Sequence, residues 1–194
     1  MFNKLIDFLF RIRAKKYLSQ TVRERRFVSY EKAKTVLILF ESEFTEKNPN
    51  IRRMIHALQQ DGKKVSAWGF IDKKEVMTSI LPDFRILHHK QTDFFKKPLI
   101  SYINELENQE FDLLIDLSIH PILPLQYIAM YAKAACKLGI HKNDLGIYDF
   151  VLDIENQFAG AETAENSELI ENSVDEIYLY NYMIFYLKSI QTTD

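Results

Sequence analysis

The segment Thr35–Phe40, with the sequence TVLILF, is a continuous run of apolar and β-forming residues. Charged residues border it on both sides, with Lys34 before it and Glu41 after it. A strand that is apolar on both faces is typical of a parallel sheet with helices packed on each side. The segment therefore predicts a buried parallel strand.

The chain after this segment alternates between strand patterns and helical patterns. Apolar residues at helical spacing, with prolines near several helix starts, predict helices between the strands. Strands are predicted at 64–70, 84–87, 111–117, 137–141 and 147–154, and helices at 48–61, 72–80, 97–106 and 121–135. This order predicts an α/β fold, a mostly parallel Rossmann-like sheet in three layers.

One domain accounts for the 194 residues of the chain, since a domain commonly holds about 150. We divide it into a basic helical segment at 1–34, a Rossmann-like core at 35–154, a loop at 155–172 and a C-terminal helix at 173–190. Ser173 and Glu176 match a capping box at the start of that last helix.

Charge is distributed unevenly along the chain. Residues 1–34 carry ten Lys and Arg against three Asp and Glu, whereas residues 151–194 carry one against nine. Two interpretations stay open: the two ends lie near each other within the fold, or the basic end contacts an anionic surface or an acidic protein partner. No DNA- or RNA-binding motif accompanies the basic residues, which argues against nucleic acid.

The first 18 residues have the pattern of a short amphipathic helix with a basic end. The apolar stripe contains Phe2, Leu5, Ile6, Leu9 and Ile12, and Phe8 and Phe10 fall outside it. Such a helix packs on its own domain or lies on a membrane surface. We predict a cytoplasmic protein that, in the second case, is peripheral at the inner membrane surface through residues 1–26.

Local patterns argue against the common cofactor and metal sites. The turn after the first strand, residues 41–45, has no glycine and carries two carboxylates, which would repel a pyrophosphate. No P-loop and no His-Glu-x-x-His motif occurs, and no histidine has a metal-ligand spacing with Cys136. We therefore predict no cofactor and no metal, and we interpret Cys136 as a small buried residue at a helix end.

Polar residues follow the predicted strand 111–117, where a parallel sheet binds its ligands. Asp116, Ser118 and His120 lie there, and Ser42 follows the first strand. An Asp116–His120 pair could transfer protons, with Ser42, Ser118 and His120 contacting a ligand. The alternative is structural: Asp116 holds the loop by hydrogen bonds, and His120 is merely exposed.

The predicted C-terminal helix is apolar on nearly all sides. Ile177, Tyr180, Ile184 and Leu187 form one face. The other faces carry aromatic residues that suit a subunit or partner interface, namely Tyr178, Tyr182, Phe185 and Tyr186. Two interpretations stay open: a homodimer or protein-partner surface, or a helix buried between the sheet and the N-terminal helix.

Residues 111–140 resemble part of the heptosyltransferase-type glycosyltransferases. The run Phe111–Leu117 ends in Ile-Asp-Leu, and a helix then leads to the Gly-hydrophobic pair Gly139-Ile140. The resemblance implies the N-terminal Rossmann-like domain of such an enzyme. The glycine-containing loop of that family after the first strand is absent, and its second domain does not fit, so transferase activity is not implied. As a whole, the chain resembles small bacterial domain-of-unknown-function proteins of this length.

These observations favour a non-enzymatic binding or scaffold protein. One alternative is a small ligand-binding or enzyme domain of glycosyltransferase ancestry that acts at the carboxyl ends of the strands. Another is a peripheral membrane-associated protein that uses its basic N-terminal helix.

Overall fold

The computed structural model describes residues 2–42, 48–73, 84–140, 145–153 and 175–190. Six strands form one parallel sheet in the order β3-β2-β1-β4-β5-β6. The strands are β1 (Thr35–Glu41), β2 (Lys64–Phe70), β3 (Arg85–Leu87), β4 (Glu110–Asp116), β5 (Lys133–Ile140) and β6 (Phe150–Leu152). The predicted Rossmann-like α/β fold is therefore confirmed, since this strand order is that of the Rossmann sheet.

The strand β1 lies at the centre of the sheet, as its sequence predicts. Val36 is in register with Val65 on one neighbour and with Leu113 on the other. All five residues from Val36 to Phe40 are fully buried. Their burial on both faces explains why the segment lacks the polar alternation of a half-exposed strand.

In the described part of the chain, five α-helices cover the two faces of the sheet. They are α1 (Phe2–Gln20), α2 (Pro49–Gln60), α3 (Ile100–Glu107), α4 (Leu123–Tyr131) and α5 (Glu176–Ser189). The helices α2 and α5 pack on the face that contains Val36, Ile38 and Phe40. Residues of α1, α3 and α4 pack on the opposite face, around Leu37 and Leu39. The helix α5 is therefore not buried between the sheet and α1, and that prediction was wrong.

The boundary between α4 and β5 differs from the prediction. The helix ends at Tyr131, and β5 begins at Lys133, four residues before the predicted strand start. Ala135 and Cys136 therefore lie on a strand and not at a helix end. Small apolar residues fit a helix and a buried strand equally well, so the sequence pattern did not mark the change. The buried state of Cys136 is confirmed, and burial raises the pKa of its thiol to about 11.

Three other boundaries also shift. The helix predicted from residue 97 begins at Ile100, because a residue before a proline is disfavoured in helices and Pro98 follows Lys97. Within the strand predicted at 147–154, only Phe150–Leu152 of the described residues form a strand, which is β6. Asp175, and not Ser173, is the N-cap of α5, and its carboxylate accepts from the Tyr178 N–H at 2.8 Å. Ser173, the loop 155–172 and most of the helix predicted at 72–80 lie outside the described residues.

Candidate functional sites

The carboxyl edge of the sheet holds the residues that the sequence singled out. The chain reverses its winding direction between β1 and β4, and in open α/β sheets ligands bind beyond this switch point. Glu41 ends β1 and Asp116 ends β4, and Ser42, Ser118 and His120 follow directly. The predicted residues therefore lie at one edge, on neighbouring strands.

Asp116 is a buried structural carboxylate. Its Oδ1 atom accepts from the Ser118 N–H at 2.9 Å and from the Ser118 hydroxyl at 2.5 Å. The Tyr148 hydroxyl donates to Oδ2. Burial, followed by the charge of Asp116, raises the pKa of the Tyr148 hydroxyl well above its usual value. These contacts correspond to the structural interpretation of Asp116, in which its carboxylate holds the loop.

His120 pairs with Glu41 and not with Asp116. The Glu41 carboxylate accepts from the His120 backbone N–H at 2.5 Å, and its second oxygen lies 2.8 Å from Nδ1. The carboxylate therefore orients the imidazole ring of His120 through Nδ1. The sequence analysis missed Glu41 as a partner, because only the pairing of β1 with β4 brings it to His120.

Ser42 and Asn48 form a second buried polar pair at this edge. Their side chains are hydrogen-bonded, at 3.1 Å from the Asn48 amide nitrogen to the Ser42 hydroxyl. Asn48 stands at the N-cap position of α2 but makes no side-chain cap bond. Pro49 and Pro124, in the first turns of α2 and α4, each lack a backbone N–H, so each of these helix starts has one donor fewer for a phosphate group. With Glu41 beside them, these features make the edge unfavourable for a pyrophosphate.

The helix α1 has apolar residues on two opposite faces. Its inward face contains Ile6, Phe10 and Ala14, which are buried, and Phe10 meets the Tyr127 ring edge-on at 4.8 Å. Its outward face exposes Leu5, Phe8 and Ile12 at 53%, 58% and 49%. The predicted apolar stripe was therefore assigned to the wrong side of the helix. Phe10 belongs to the core, whereas Leu5 and Ile12 lie with Phe8 on the outside.

Basic residues border the outward apolar face of α1. At helical spacing, Lys4, Arg11 and Lys15 lie on one side of Phe8, and Lys16 lies one turn after Ile12. All four are exposed, and Arg11 also pairs with Asp7 at 3.0 Å. We call Leu5, Phe8 and Ile12 with these four cations the outer face of α1.

The remaining arginines of the basic segment contact the domain itself. The Arg13 guanidinium lies 4.2 Å from the centre of the Phe95 ring. Arg23 pairs with Asp149 and donates to the Ala134 carbonyl at 2.7 Å. The positive charge of residues 1–26 is thus divided between internal contacts and the outer face of α1.

The helix α5 carries one exposed aromatic residue, Phe185, beside three partly buried tyrosines. Leu179, Met183 and Leu187 bury its inner side against the sheet. Outside, the Tyr182 ring centre lies 4.8 Å from that of Tyr178 and 5.9 Å from that of Tyr186. Phe185 is 64% exposed beside Tyr186. The four predicted interface residues therefore lie together, and we call them the aromatic face of α5.

Two negative findings concern the described residues. None of their helices is long and apolar enough to span a membrane. They also contain no group of three or more His, Cys, Asp or Glu side chains arranged to hold a metal ion.

A family model, that of a family of unknown function (DUF6913), matches residues 7–168. No curated protein and no solved structure matches the chain significantly. The resemblance of residues 111–140 to the heptosyltransferases stays a prediction. The match covers most of the sequence, including all six strands and four of the five helices in whole or in part. The chain therefore belongs to the DUF6913 family, whose function is unknown.

Proposed function

We propose that this protein binds an anionic membrane surface peripherally, through the outer face of α1. The observation that carries the proposal is the exposure of Leu5, Phe8 and Ile12 along one line of the helix, with basic side chains on both sides. An interfacial helix has this composition, with aromatic and aliphatic side chains towards the lipid and Lys or Arg beside them. The sequence analysis left this interpretation open for residues 1–26.

The core does not need the outer apolar residues. Phe10 and Ala14 already belong to the core on this face of the sheet, where Phe10 meets Tyr127 of α4, and Ile6 is buried as well. Single exposed apolar side chains are common on protein surfaces, but Leu5, Phe8 and Ile12 are neighbours on one helix face. A contiguous exposed apolar patch with a polar rim marks an interaction surface.

The charges favour an anionic membrane as the occupant. Each Lys or Arg near an anionic bilayer surface contributes about 1 kcal/mol. Four such residues on the outer face of α1 therefore contribute up to about 4 kcal/mol, close to three orders of magnitude in affinity. Nucleic acid would use the same cations, but its interfaces are polar and would not cover Leu5, Phe8 and Ile12.

The proposal also suggests where the protein acts. Anionic lipids give the cytoplasmic leaflet its negative surface potential. We therefore place the protein in the cytoplasm, with α1 against the inner surface of the membrane.

Co-sedimentation with vesicles tests the proposal. We expect binding to vesicles that contain phosphatidylglycerol, weak binding to vesicles of phosphatidylcholine alone, and release as the salt concentration rises. Equal binding to both kinds of vesicle, or to neither, would contradict it.

A further inference from the structure

A cavity of about 730 Å3 opens at the amino edge of the sheet, where β1, β4 and β5 begin. The end of α1, the segment 21–26 and the end of α4 contribute to its walls. Binding pockets for small molecules commonly measure roughly 300 to 1,000 Å3. The cavity thus has the size of a ligand site. It lies at the edge of the sheet opposite to the edge that carries His120.

Cationic side chains predominate in the lining. Six basic residues line the cavity, namely Arg23, Arg25, Arg26, Lys34, Lys133 and Lys137. The three acidic residues in the lining are Glu24, Glu110 and Asp112. The Asp112 carboxylate already accepts from the Lys34 N–H at 2.7 Å and from the N–H and hydroxyl of Thr35. The cavity therefore has an excess of positive charge.

Lys137 is the deepest of these cations. It is 2% exposed, and its Nζ donates to the carbonyls of Ala129 at 2.6 Å and Met130 at 3.2 Å. Burial, followed by the charge of Arg23, lowers the pKa of its ammonium to about 7, and Asp149 opposes this effect. Asp149 pairs with both Arg23 and Arg25, so one carboxylate faces three cations, and a bound anion would offset the positive charge that remains.

Two tyrosines supply an aromatic part of the lining. The rings of Tyr17 and Tyr131 meet edge-on, with their centres 4.7 Å apart. They offer an apolar surface for the organic part of a ligand. Guanidinium groups suit phosphate oxygens, which they bind through two parallel hydrogen bonds.

We propose that the amino-edge cavity binds a small organic phosphate. The arginines and lysines hold the phosphate group, and Tyr17 and Tyr131 contact the organic group. This site is separate from the outer face of α1 and from the carboxyl edge, where Glu41 opposes an anion.

Isothermal titration with phenyl phosphate tests the site, with phenol as the uncharged match. We expect saturable binding of phenyl phosphate and none of phenol. The double variant Arg26→Glu with Lys133→Glu, at two exposed lining residues, should bind roughly tenfold more weakly or worse, because two attractive charges become repulsive. The control double variant Arg53→Glu with Lys90→Glu has the same net charge and should bind like the wild type.

Thermal unfolding first establishes that both double variants fold. If the lining variant does not, Lys133→Gln replaces it, with an expected weakening of roughly threefold. Absence of saturable phenyl phosphate binding by the wild type would overturn the proposal. So would equal weakening in the lining and control variants, which would indicate a response to net charge alone.

Discussion

The helices α1 and α5 pack on opposite faces of the same sheet, and each exposes one aromatic residue among those the structure describes. Phe8 on α1 and Phe185 on α5 are similarly accessible, at 58% and 64%. Their surroundings differ. The outer face of α1 combines aliphatic residues with lysines and an arginine, whereas the exposed ring of Phe185 lies against Tyr186 in a row of aromatic rings.

This difference leads us to expect different partners for two rings of similar exposure. Aliphatic and aromatic side chains beside several cations suit an anionic lipid surface. Near the rings of α5 the helix has one cation in its last turn, Lys188, and it contacts Asp61 and the Tyr30 ring. Aromatic side chains with so little positive charge beside them suit a protein surface, which is enriched in Tyr and Phe. Exposure alone would not separate the two surfaces, because the rings have similar accessibility and differ in the charges beside them.

Charge reversal on α1 should give the largest effect. We expect the triple variant Lys4→Glu, Lys15→Glu, Lys16→Glu to bind anionic vesicles at least about a hundredfold more weakly. Each lost attraction is worth about 1 kcal/mol. Co-sedimentation measures the binding. The matched control Arg53→Glu, Lys64→Glu, Lys90→Glu changes net charge equally and should retain binding. Equal losses in both would show that overall charge, and not α1, determines binding.

Removing the exposed ring of α1 should have a smaller effect. Phe8→Ser should weaken vesicle binding roughly fivefold, because a half-exposed ring gains about 1 kcal/mol on entering the interface. Phe185→Ser on α5 removes a ring of similar exposure and should leave vesicle binding unchanged. A loss in Phe185→Ser as large as that in Phe8→Ser would remove the distinction between the helices.

The aromatic face of α5 should determine whether the protein is a monomer or a dimer in solution. If it joins two copies of the chain, Tyr182→Ser with Phe185→Ser should convert a dimer to a monomer, because these rings form the interface. Analytical ultracentrifugation measures this, and vesicle binding by the monomer should persist. A mass unchanged by the double substitution would count against the homodimer.

The inner side of α5 gives the smallest expected effect, which appears only at alkaline pH. Burial, followed by the charge of Asp61, raises the pKa of Tyr180 to about 12, against about 10 in an unfolded chain. Between these values the folded chain keeps a proton that the unfolded chain loses, so stability falls as pH rises. Urea unfolding should show a shallower fall in Tyr180→Phe than in the wild type or in Tyr182→Phe. Identical slopes in all three would contradict this role of Tyr180.

Most of the fold could be predicted from local patterns, and the exceptions have two physical causes. The strand β1 is apolar throughout because helices cover both its faces, so Thr35–Phe40 identified it. The end of α4 was misplaced, since Ala132, Ala134 and Ala135 suit a helix and a strand alike. The packing of α5 on the face opposite α1 depends on tertiary contacts that no short segment specifies.

The candidate sites were predicted less completely than the fold. The strand-end rule located His120, but its partner Glu41 lies 79 residues earlier in the chain and reaches it only through sheet pairing. The amino-edge cavity was missed because its cations come from three separate parts of the chain. On α1, the apolar residues are so numerous that their spacing did not show which of them face the core.

A fluorescent label on α1 tests most directly the central claim that this helix contacts the membrane. The single cysteine, Cys136, is buried with a raised thiol pKa, so an environment-sensitive dye would attach selectively to an introduced Phe8→Cys or Phe185→Cys. On addition of phosphatidylglycerol vesicles, we expect the dye at position 8 to shift its emission to the blue and to become shielded from an aqueous quencher. The dye at position 185 should do neither. An unchanged spectrum at position 8, in a sample that sediments with the vesicles, would contradict the assignment of α1 as the membrane-binding surface.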